Sequence, residues 1–293
     1  MSLIENSLEK LRRAAIASKD ASASAVGSPN AASVDQIATL EPRYIHRRIA
    51  VHFADLRAQG YLPEESQQRR FADCCHRLKR PLITRALAPG VPQDTRLILL
   101  SSAVPGDGKS FLALNLALSM ARERDISVLL VDADLPKAQI TRVLGMQGQP
   151  GLLDALQDPH KDVESLVVET DVANLEVLPA GPPSDGAAEL VASERMREIA
   201  ARLLSRNPRR LVLFDSPPLL LSSEARALLP IPGQIVLVAR TGHTPRRAIV
   251  DALSLVDKAK LQGLILNDAD VRYEHAYYDY GSYGAGETGS KRP

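Results

Sequence analysis

The sequence LILLSSAVPGDGKS at residues 97–110 is an apolar segment that runs into a glycine-containing turn and ends in a lysine and a serine. In such a turn, backbone N–H groups can close around phosphates, Lys109 can reach the terminal phosphate oxygens and Ser110 can offer its hydroxyl to Mg²⁺. A helix beginning here would add its positive dipole end. The stretch therefore predicts a site for a nucleoside triphosphate. Its candidate binding residues are Pro105, Gly106, Asp107, Gly108, Lys109, Ser110 and Phe111.

One position departs from the usual phosphate-loop pattern G-x-x-x-x-G-K-[S/T], because Ala103 stands where the first glycine is expected. The alternative interpretation is a surface Gly-Asp-Gly turn that happens to precede Lys-Ser. The apolar strand before the turn and the apolar helix after it favour the phosphate loop.

Downstream of this loop, short apolar segments alternate with longer helical ones. Strands are predicted at residues 97–101, 128–132, 175–178, 211–215, 235–239 and 264–267. Helices are predicted at residues 109–124, 187–205, 223–229 and 245–260. This alternation predicts an α/β fold, a P-loop NTPase-like parallel sheet flanked by helices on both faces.

Composition narrows the classes of function. A chain of 293 residues with 45% hydrophobic content is long enough for one large core with flanking segments. Basic and acidic residues number 36 and 35, so charge offers no reason to expect a nucleic-acid partner. The adjacent Cys74 and Cys75 favour a reducing compartment. Because no apolar run approaches a membrane span and no signal-peptide core is recognisable, we expect a cytoplasmic protein without a transmembrane segment.

The chain is predicted to have five parts. Residues 1–18 have the apolar spacing of an amphipathic helix, and residues 19–42 have the composition of a flexible linker. Residues 43–95 form a helical lead-in, with one helix at 45–57 and a second at 64–80 that is ended by Pro81. The nucleotide-binding domain follows at 96–268, and residues 269–293 are a polar tail predicted to be disordered.

Three aspartates mark the ends of two predicted strands. Asp132 and Asp134 follow the apolar run at 128–131, and Asp215 follows the run at 211–214. Carboxyl ends of parallel strands meet at one edge of a sheet, where ligands of such sheets bind. Each aspartate alone is explained as a cap or turn residue. Following a phosphate loop in this order, the three aspartates predict a Mg²⁺ site together with the hydroxyl of Ser110.

The polar tail is rich in tyrosine. A segment of glycine and charged residues offers little surface for burying aromatic rings, so these phenols are expected to be exposed. They fit a phosphoacceptor cluster, and adhesion to a partner is the alternative. The five candidate acceptors are Tyr273, Tyr277, Tyr278, Tyr280 and Tyr283.

Together these features resemble the bacterial tyrosine autokinases of exopolysaccharide and capsule synthesis, in the cytoplasmic form that pairs with a separate membrane protein. The segment PGDGKS at 105–110 is similar to the family's Walker A motif, DADL at 132–135 to its Walker A′ and DSPP at 215–218 to its Walker B. LPAG at 178–181 resembles the segment between them. MSLIE at 1–5 and RLKRPL at 77–82 resemble the exosortase-associated branch.

The resemblance implies roles for individual residues. Lys109 and Mg²⁺ would neutralise the β- and γ-phosphates of ATP, while Ser110 and Asp215 would hold the metal. Asp132 would orient or deprotonate the tyrosine hydroxyl and Asp134 would assist around the metal, although these two roles can be exchanged. Asn267 lies where related P-loop proteins place an adenine-contacting asparagine.

The resemblance also implies a cellular role. The family phosphorylates its own tail tyrosines in trans and regulates polysaccharide polymerisation or export. Its partner is a membrane chain-length determinant, or polysaccharide co-polymerase, which would place this chain at the inner face of the cell membrane. Phosphorylation adds about 1.5 to 2 negative charges per tyrosine, so a modified tail should loosen contacts between subunits.

Some positions depart from the family pattern. The E-x-x-R-x-x-R motif that holds rings of subunits together reads Asp73-x-x-His76-x-x-Lys79, so self-association through the tail and helical lead-in is expected without a defined ring. Lys137 replaces a frequent arginine. Two alternatives stay open: a partition-type ATPase, which would carry a signature lysine where Val104 stands, and a nucleotide-binding adaptor with little kinase activity.

Overall fold

The structure, a computed structural model, describes residues 47–184 and 186–269. This part of the chain contains one sheet of eight strands in the order β1-β4-β5-β3-β6-β2-β7-β8. All neighbouring strands are parallel except β4 and β5, which are antiparallel. The strands are β1 (Arg47–Ile49), β2 (Leu97–Ser102), β3 (Ser127–Asp132), β4 (Val168–Thr170), β5 (Leu175–Leu178), β6 (Arg210–Asp215), β7 (Gln234–Arg240) and β8 (Leu261–Asn267).

Helices cover both faces of this sheet. The α-helices of the described residues are α1 (Phe53–Ala58), α2 (Gln68–Ala86), α3 (Lys109–Met120), α4 (Gln139–Val143), α5 (Leu152–Gln157), α6 (Ala187–Ala192), α7 (Glu194–Ser205), α8 (Ser223–Leu228) and α9 (Arg246–Leu255). Short 3-10 turns lie at residues 65–67, 93–96 and 163–166. No helix in this part of the chain is both long and apolar enough to cross a membrane.

The central strands β2, β3 and β6 are buried on both faces, which is why their sequences are continuously apolar. Alternate side chains of these strands pack into two hydrophobic cores, one on each face of the sheet. Leu99 and Phe214 pack on one face with α7 and α9, and Ile98 and Leu130 pack on the other with α2 and α3. The predicted fold class is confirmed.

The predicted helix at 45–57 is wrong at its beginning. Residues 47–49 form the edge strand β1, parallel to β4, and helix α1 begins at Phe53. The N–H of Asp171 donates to the carbonyl of Ile49 at 3.0 Å, and the N–H of Val51 donates to Asp171 Oδ1 at 2.8 Å. These long-range bonds outweigh the local helical pattern.

The predicted end of the second helix at Pro81 is also wrong, because α2 continues through Pro81 to Ala86. Proline costs this helix one hydrogen bond to the preceding turn. Packing of the last turn offsets that cost: Leu82 and Ala86 are buried, and Gln234 Nε2 donates to the carbonyl of Leu82 at 3.0 Å.

Other boundaries shift by smaller amounts. The predicted helix at 187–205 is two helices, since Ser193 is extended and its hydroxyl donates to the carbonyl of Leu190 at 2.6 Å. The helix predicted to end at residue 124 ends at Met120. Strand β4 and helices α4 and α5 were not predicted, because segments of three to six residues carry little periodicity. The predicted helix at 1–18, the linker at 19–42 and the tail from residue 270 lie outside the described residues.

Candidate nucleotide and metal site

The phosphate loop joins β2 to α3 at the carboxyl edge of the sheet. Gly106 and Gly108 have φ values of +86° and +89°, a backbone conformation that residues with a side chain rarely adopt. Ala103 is buried and its backbone φ is not positive, so this position accepts a methyl side chain without backbone strain. The missing first glycine therefore leaves the turn intact.

Lys109 reaches across the loop to the turn that follows β3. Its Nζ lies 2.9 Å from Asp134 Oδ2, and both side chains are almost fully buried. Burial by itself lowers the pKa of Lys109, but the carboxylates of Asp215 and Asp134 outweigh burial and raise it above its usual value. The ammonium is therefore charged at neutral pH and is aimed at the centre of the site.

Asp132 and Asp215 are direct neighbours, because β3 and β6 pair in parallel with these two residues in register. Both are fully buried, and among the described residues neither oxygen of Asp215 has a hydrogen-bond partner of good geometry. Burial raises the pKa of Asp215 to about 8, although Lys109 opposes the shift. A cation placed between these carboxylates would reverse that effect.

Thr141 on α4 orients Asp132. Its backbone N–H and its hydroxyl both donate to Asp132 Oδ2 at 2.7 Å, whereas Oδ1 has no partner among the described residues. Burial raises the pKa of Asp132 to about 6, against these hydrogen bonds. The hydroxyl of Thr141 also accepts the N–H of Ala180 at 2.9 Å. Sequence reasoning missed Thr141, because nothing in a five-residue helix signals this contact.

The turn after β3 fixes Asp134. Its carbonyl accepts the N–H groups of Lys137 and Ala138 at 3.0 and 2.6 Å. Ala138 has φ +46°, an uncommon conformation for alanine. The side chain of Lys137 is exposed on this turn.

The structure places the remaining predicted binding residues around the loop. Asp107 is buried, and its carbonyl accepts a hydrogen bond from Asn267 Nδ2 at 3.0 Å. Asn267 therefore lies against the phosphate loop, and contact with a base stays a prediction. Phe111 packs edge-on against Phe71 of α2, with ring centroids 5.1 Å apart.

The three motif positions of the helical lead-in have unlike environments. Asp73 and His76 are exposed on α2. Lys79 is only 5% exposed, donates to the carbonyl of Ser119 at 2.7 Å and pairs with Glu123 at 2.9 Å. Lys79 thus ties α2 to the end of α3 within one chain.

The donor set fits Mg²⁺ held together with a nucleotide. Mg²⁺ prefers oxygen ligands and is usually held by one or two carboxylates plus phosphate oxygens. Asp132, Asp215 and the hydroxyl of Ser110 supply such oxygens at the end of the phosphate loop. Within residues 47–184 and 186–269, no group of three His, Cys, Asp or Glu side chains is arranged to hold a metal unaided. The five tail tyrosines lie outside the described residues.

Comparison with known proteins agrees with this geometry. Residues 95–259 match the family model described as an AAA domain. The chain is 31% identical over 207 residues to the tyrosine-protein kinase YwqD of Bacillus subtilis, covering 70% of this chain and 84% of YwqD. It is 30% identical over 192 residues to the succinoglycan biosynthesis transport protein ExoP of Rhizobium meliloti, covering 64% of this chain but only 24% of ExoP.

A solved structure shows the same architecture. The VpsO kinase domain is 27% identical to this chain, with a TM-score of 0.58 over 71% of this chain and 100% of that domain. None of these names bears on the exosortase-associated branch, which stays a prediction. The chain belongs to the family of bacterial tyrosine-protein kinases, built on an AAA-type P-loop domain.

Proposed function

We propose that this protein is an ATP-dependent tyrosine autokinase that transfers phosphate to its own tail, Tyr273 to Tyr283, in trans. The observation that carries the proposal is the convergence of Lys109, Asp132, Asp134 and Asp215 on the phosphate loop, where three buried carboxylate oxygens of Asp132 and Asp215 form no hydrogen bond of good geometry among the described residues. Structural aspartates are normally satisfied when buried.

Phosphoryl transfer needs positioning and neutralisation of charge more than covalent chemistry. When bound, Mg²⁺ would supply positive charge that neutralises the phosphates. Ser110 and Asp215 would hold that ion, with Asp132 as a further candidate ligand. Lys109 would place its ammonium at the β- and γ-phosphates, steadied by Asp134.

Asp132 is the candidate for receiving or orienting the tyrosine proton. One of its oxygens is held by Thr141 and the other has no donor among the described residues. Its position on the edge of the sheet beside Asp215 places this oxygen at the proposed site of transfer. Asp134 is committed to Lys109, which favours Asp132 for this role.

We propose further that the kinase regulates exopolysaccharide polymerisation or export through a membrane chain-length determinant, or polysaccharide co-polymerase, at the inner face of the cell membrane. The similarity to ExoP, named for succinoglycan biosynthesis transport, supports a polysaccharide role. Self-association through the tail and helical lead-in would bring one chain's tyrosines to another chain's site.

The test is intact-mass and peptide mass spectrometry of phosphatase-treated protein after incubation with Mg-ATP. We expect phosphate on Tyr273 to Tyr283 in the natural chain and none in the Lys109→Met variant. If the natural chain binds ATP and self-associates but acquires no phosphate, the autokinase is excluded and an adaptor or ATPase takes its place.

A further inference from the structure

Three residues outside the nucleotide motifs hold the phosphate loop from the neighbouring edge of the sheet. His243 Nε2 lies 2.9 Å from the carbonyl oxygen of Pro105, and since a carbonyl only accepts, Nε2 carries the proton. Thr244 Oγ1 donates to Asp107 Oδ1 at 2.5 Å, and Asn267 Nδ2 donates to the carbonyl of Asp107 at 3.0 Å. We call His243, Thr244 and Asn267 the clamp.

The clamp is itself fixed by the ends of β7 and β8. The backbone N–H of Arg240 donates to Thr244 Oγ1 at 2.7 Å, so this hydroxyl both accepts and donates. The N–H of Thr241 donates to the carbonyl of Asn267 at 3.0 Å. Turn, strand end and phosphate loop thus form one hydrogen-bonded unit.

The clamp also orients a negatively charged side chain of the phosphate loop. Asp107 is a buried carboxylate inside a segment that must bind anionic phosphates. Thr244 holds Oδ1, and the N–H of Val104 faces Oδ2 at 3.4 Å. These contacts keep the carboxylate directed at the turn between β7 and α9.

The clamp also contacts the loop at its two most pliable positions. A Cβ on Gly106 would come within 3.1 Å of His243 Nε2, and a Cβ on Gly108 within 2.2 Å of Asn267 Nδ2. Glycine has the largest conformational freedom to lose when a ligand orders it. Side chains packed against both glycines remove part of that freedom before the nucleotide arrives.

We propose that the clamp is a positioning device that holds the phosphate loop ready for the triphosphate and thereby sets nucleotide affinity. The inference rests on the proposed function only in that the loop binds ATP. A preorganised loop binds more tightly because less ordering is required on binding. Loss of a clamp contact should therefore raise the Kd and KM for ATP and leave kcat nearly unchanged.

The test measures binding of a fluorescent ATP analogue with Mg²⁺ to the full chain. Thr244→Val removes the hydroxyl and keeps the shape, and His243→Ala removes the second contact. Each should raise the Kd by about 5- to 20-fold, as expected for loss of a hydrogen bond to a charged or backbone group. Thr244→Ser restores the hydroxyl and should restore affinity. Thr84→Val, an exposed position on α2, is the matched control.

Competition by inorganic triphosphate distinguishes the contribution of the phosphate loop to binding from the contribution of contacts to the base. Thr244→Val and His243→Ala should weaken triphosphate and ATP by similar factors, whereas Asn267→Ala, which removes a clamp contact and the predicted base contact together, should weaken ATP more than triphosphate. Thermal melting identifies any variant that fails to fold, and the variants alter separate atoms, so the others still decide the question.

A Kd within twofold of the natural value for folded Thr244→Val and His243→Ala overturns the clamp, as does a fall in kcat at unchanged Kd. If the natural chain binds no nucleotide, both proposals fall. If it binds ATP with clamp-dependent affinity but phosphorylates no tyrosine, the autokinase falls and the clamp stands.

Discussion

At the scale of single residues, environment separates three aspartates of identical chemistry. Asp134 is paired with Lys109, one oxygen of Asp132 accepts hydrogen bonds from Thr141, and Asp215 forms no hydrogen bond of good geometry among the described residues. Burial raises the pKa of Asp132 and Asp215, so the cluster favours either protons or a cation. This competition is the physical reason to expect a metal ion with the nucleotide, since ATP carries it to the carboxylates.

The adjacent cysteines are expected to differ in reactivity. Cys75 is 2% exposed, and burial raises the pKa of its thiol to about 12, whereas Cys74 is partly exposed. At pH 8 only about one Cys75 thiol in 10⁴ is the reactive thiolate. Iodoacetamide should therefore label the Cys75→Ser variant rapidly and the Cys74→Ser variant at least about 100-fold more slowly.

The pH dependence of the labelling rate, followed by mass spectrometry, tests the raised pKa of Cys75 independently. Because the pKa is raised, the labelling rate of Cys75 should climb about tenfold per pH unit up to pH 9 without a plateau. Guanidinium should make both variants react alike. Equal rates in the folded variants would contradict the packing of α2 against the domain.

At this scale, the sequence predicted the location of side chains that lie at the end of a strand. Lys109, Asp132, Asp134 and Asp215 were predicted to meet, because parallel strands bring their carboxyl ends to one edge, and the structure brings them together. Thr141 was not predictable, since its contact depends on how α4 docks. Their catalytic and metal roles stay predictions.

At the scale of elements, α2 and α3 are joined by a buried cation. Lys79 reaches the carbonyl of Ser119 at the last turn of α3, where helix carbonyls lack partners within the helix. A cation there also interacts favourably with the negative end of the helix dipole. The helix that begins with Lys109 and Ser110 is thus capped at its far end by the lead-in.

The Lys79→Met variant should lower the free energy of unfolding by about 1 to 3 kcal/mol, since the carbonyl of Ser119 loses its buried donor. Thermal melting should show a fall of roughly 2 to 4 °C for each kcal/mol. The control is Arg80→Met, an exposed cation on the next position of α2.

Equal effects of the two substitutions would contradict this account. A Lys79→Met chain that melts normally but no longer self-associates would instead show that Lys79 acts between subunits, as the family motif implies. Sedimentation velocity beside melting separates these outcomes.

Element boundaries were predicted less well than element types. Six strands of the sheet were predicted, whereas β1 was mistaken for helix because its hydrogen bonds to the segment after β4 are invisible in local periodicity. Pro81 was taken as a stop because local rules omit the buried contacts of Leu82 and Ala86. Tertiary packing overrides the local preference in both cases.

At the scale of the whole molecule, the proposed substrate tyrosines follow the last strand of the proposed catalytic domain in the sequence. Asn267 ends β8 against the phosphate loop, and the described structure ends at Ala269. Tyr273 lies four positions after Ala269 in the sequence, and Tyr283 lies fourteen positions after it. Because an extended chain spans at most about 3.5 Å per residue, Tyr273 can lie at most about 14 Å from Ala269 and Tyr283 at most about 50 Å.

This layout predicts that the kinase and its tail can be supplied by different chains. A chain truncated after Ala269 keeps every described contact of the site and should bind ATP with a Kd within about twofold of the full chain. Mixed with full-length Lys109→Met and Mg-ATP, it should place phosphate on the tail of the Lys109→Met chain. Peptide mass spectrometry locates that phosphate, and the Lys109→Met chain incubated alone is the control.

The truncated chain also separates transfer in trans from transfer in cis. If the mixture stays unmodified while the natural full-length chain is phosphorylated at a rate independent of its concentration, transfer is within one chain. If instead the mixture reacts and the natural chain's rate rises with concentration, the tail serves a neighbouring site, and self-association controls the kinase because it sets how often tails and sites meet.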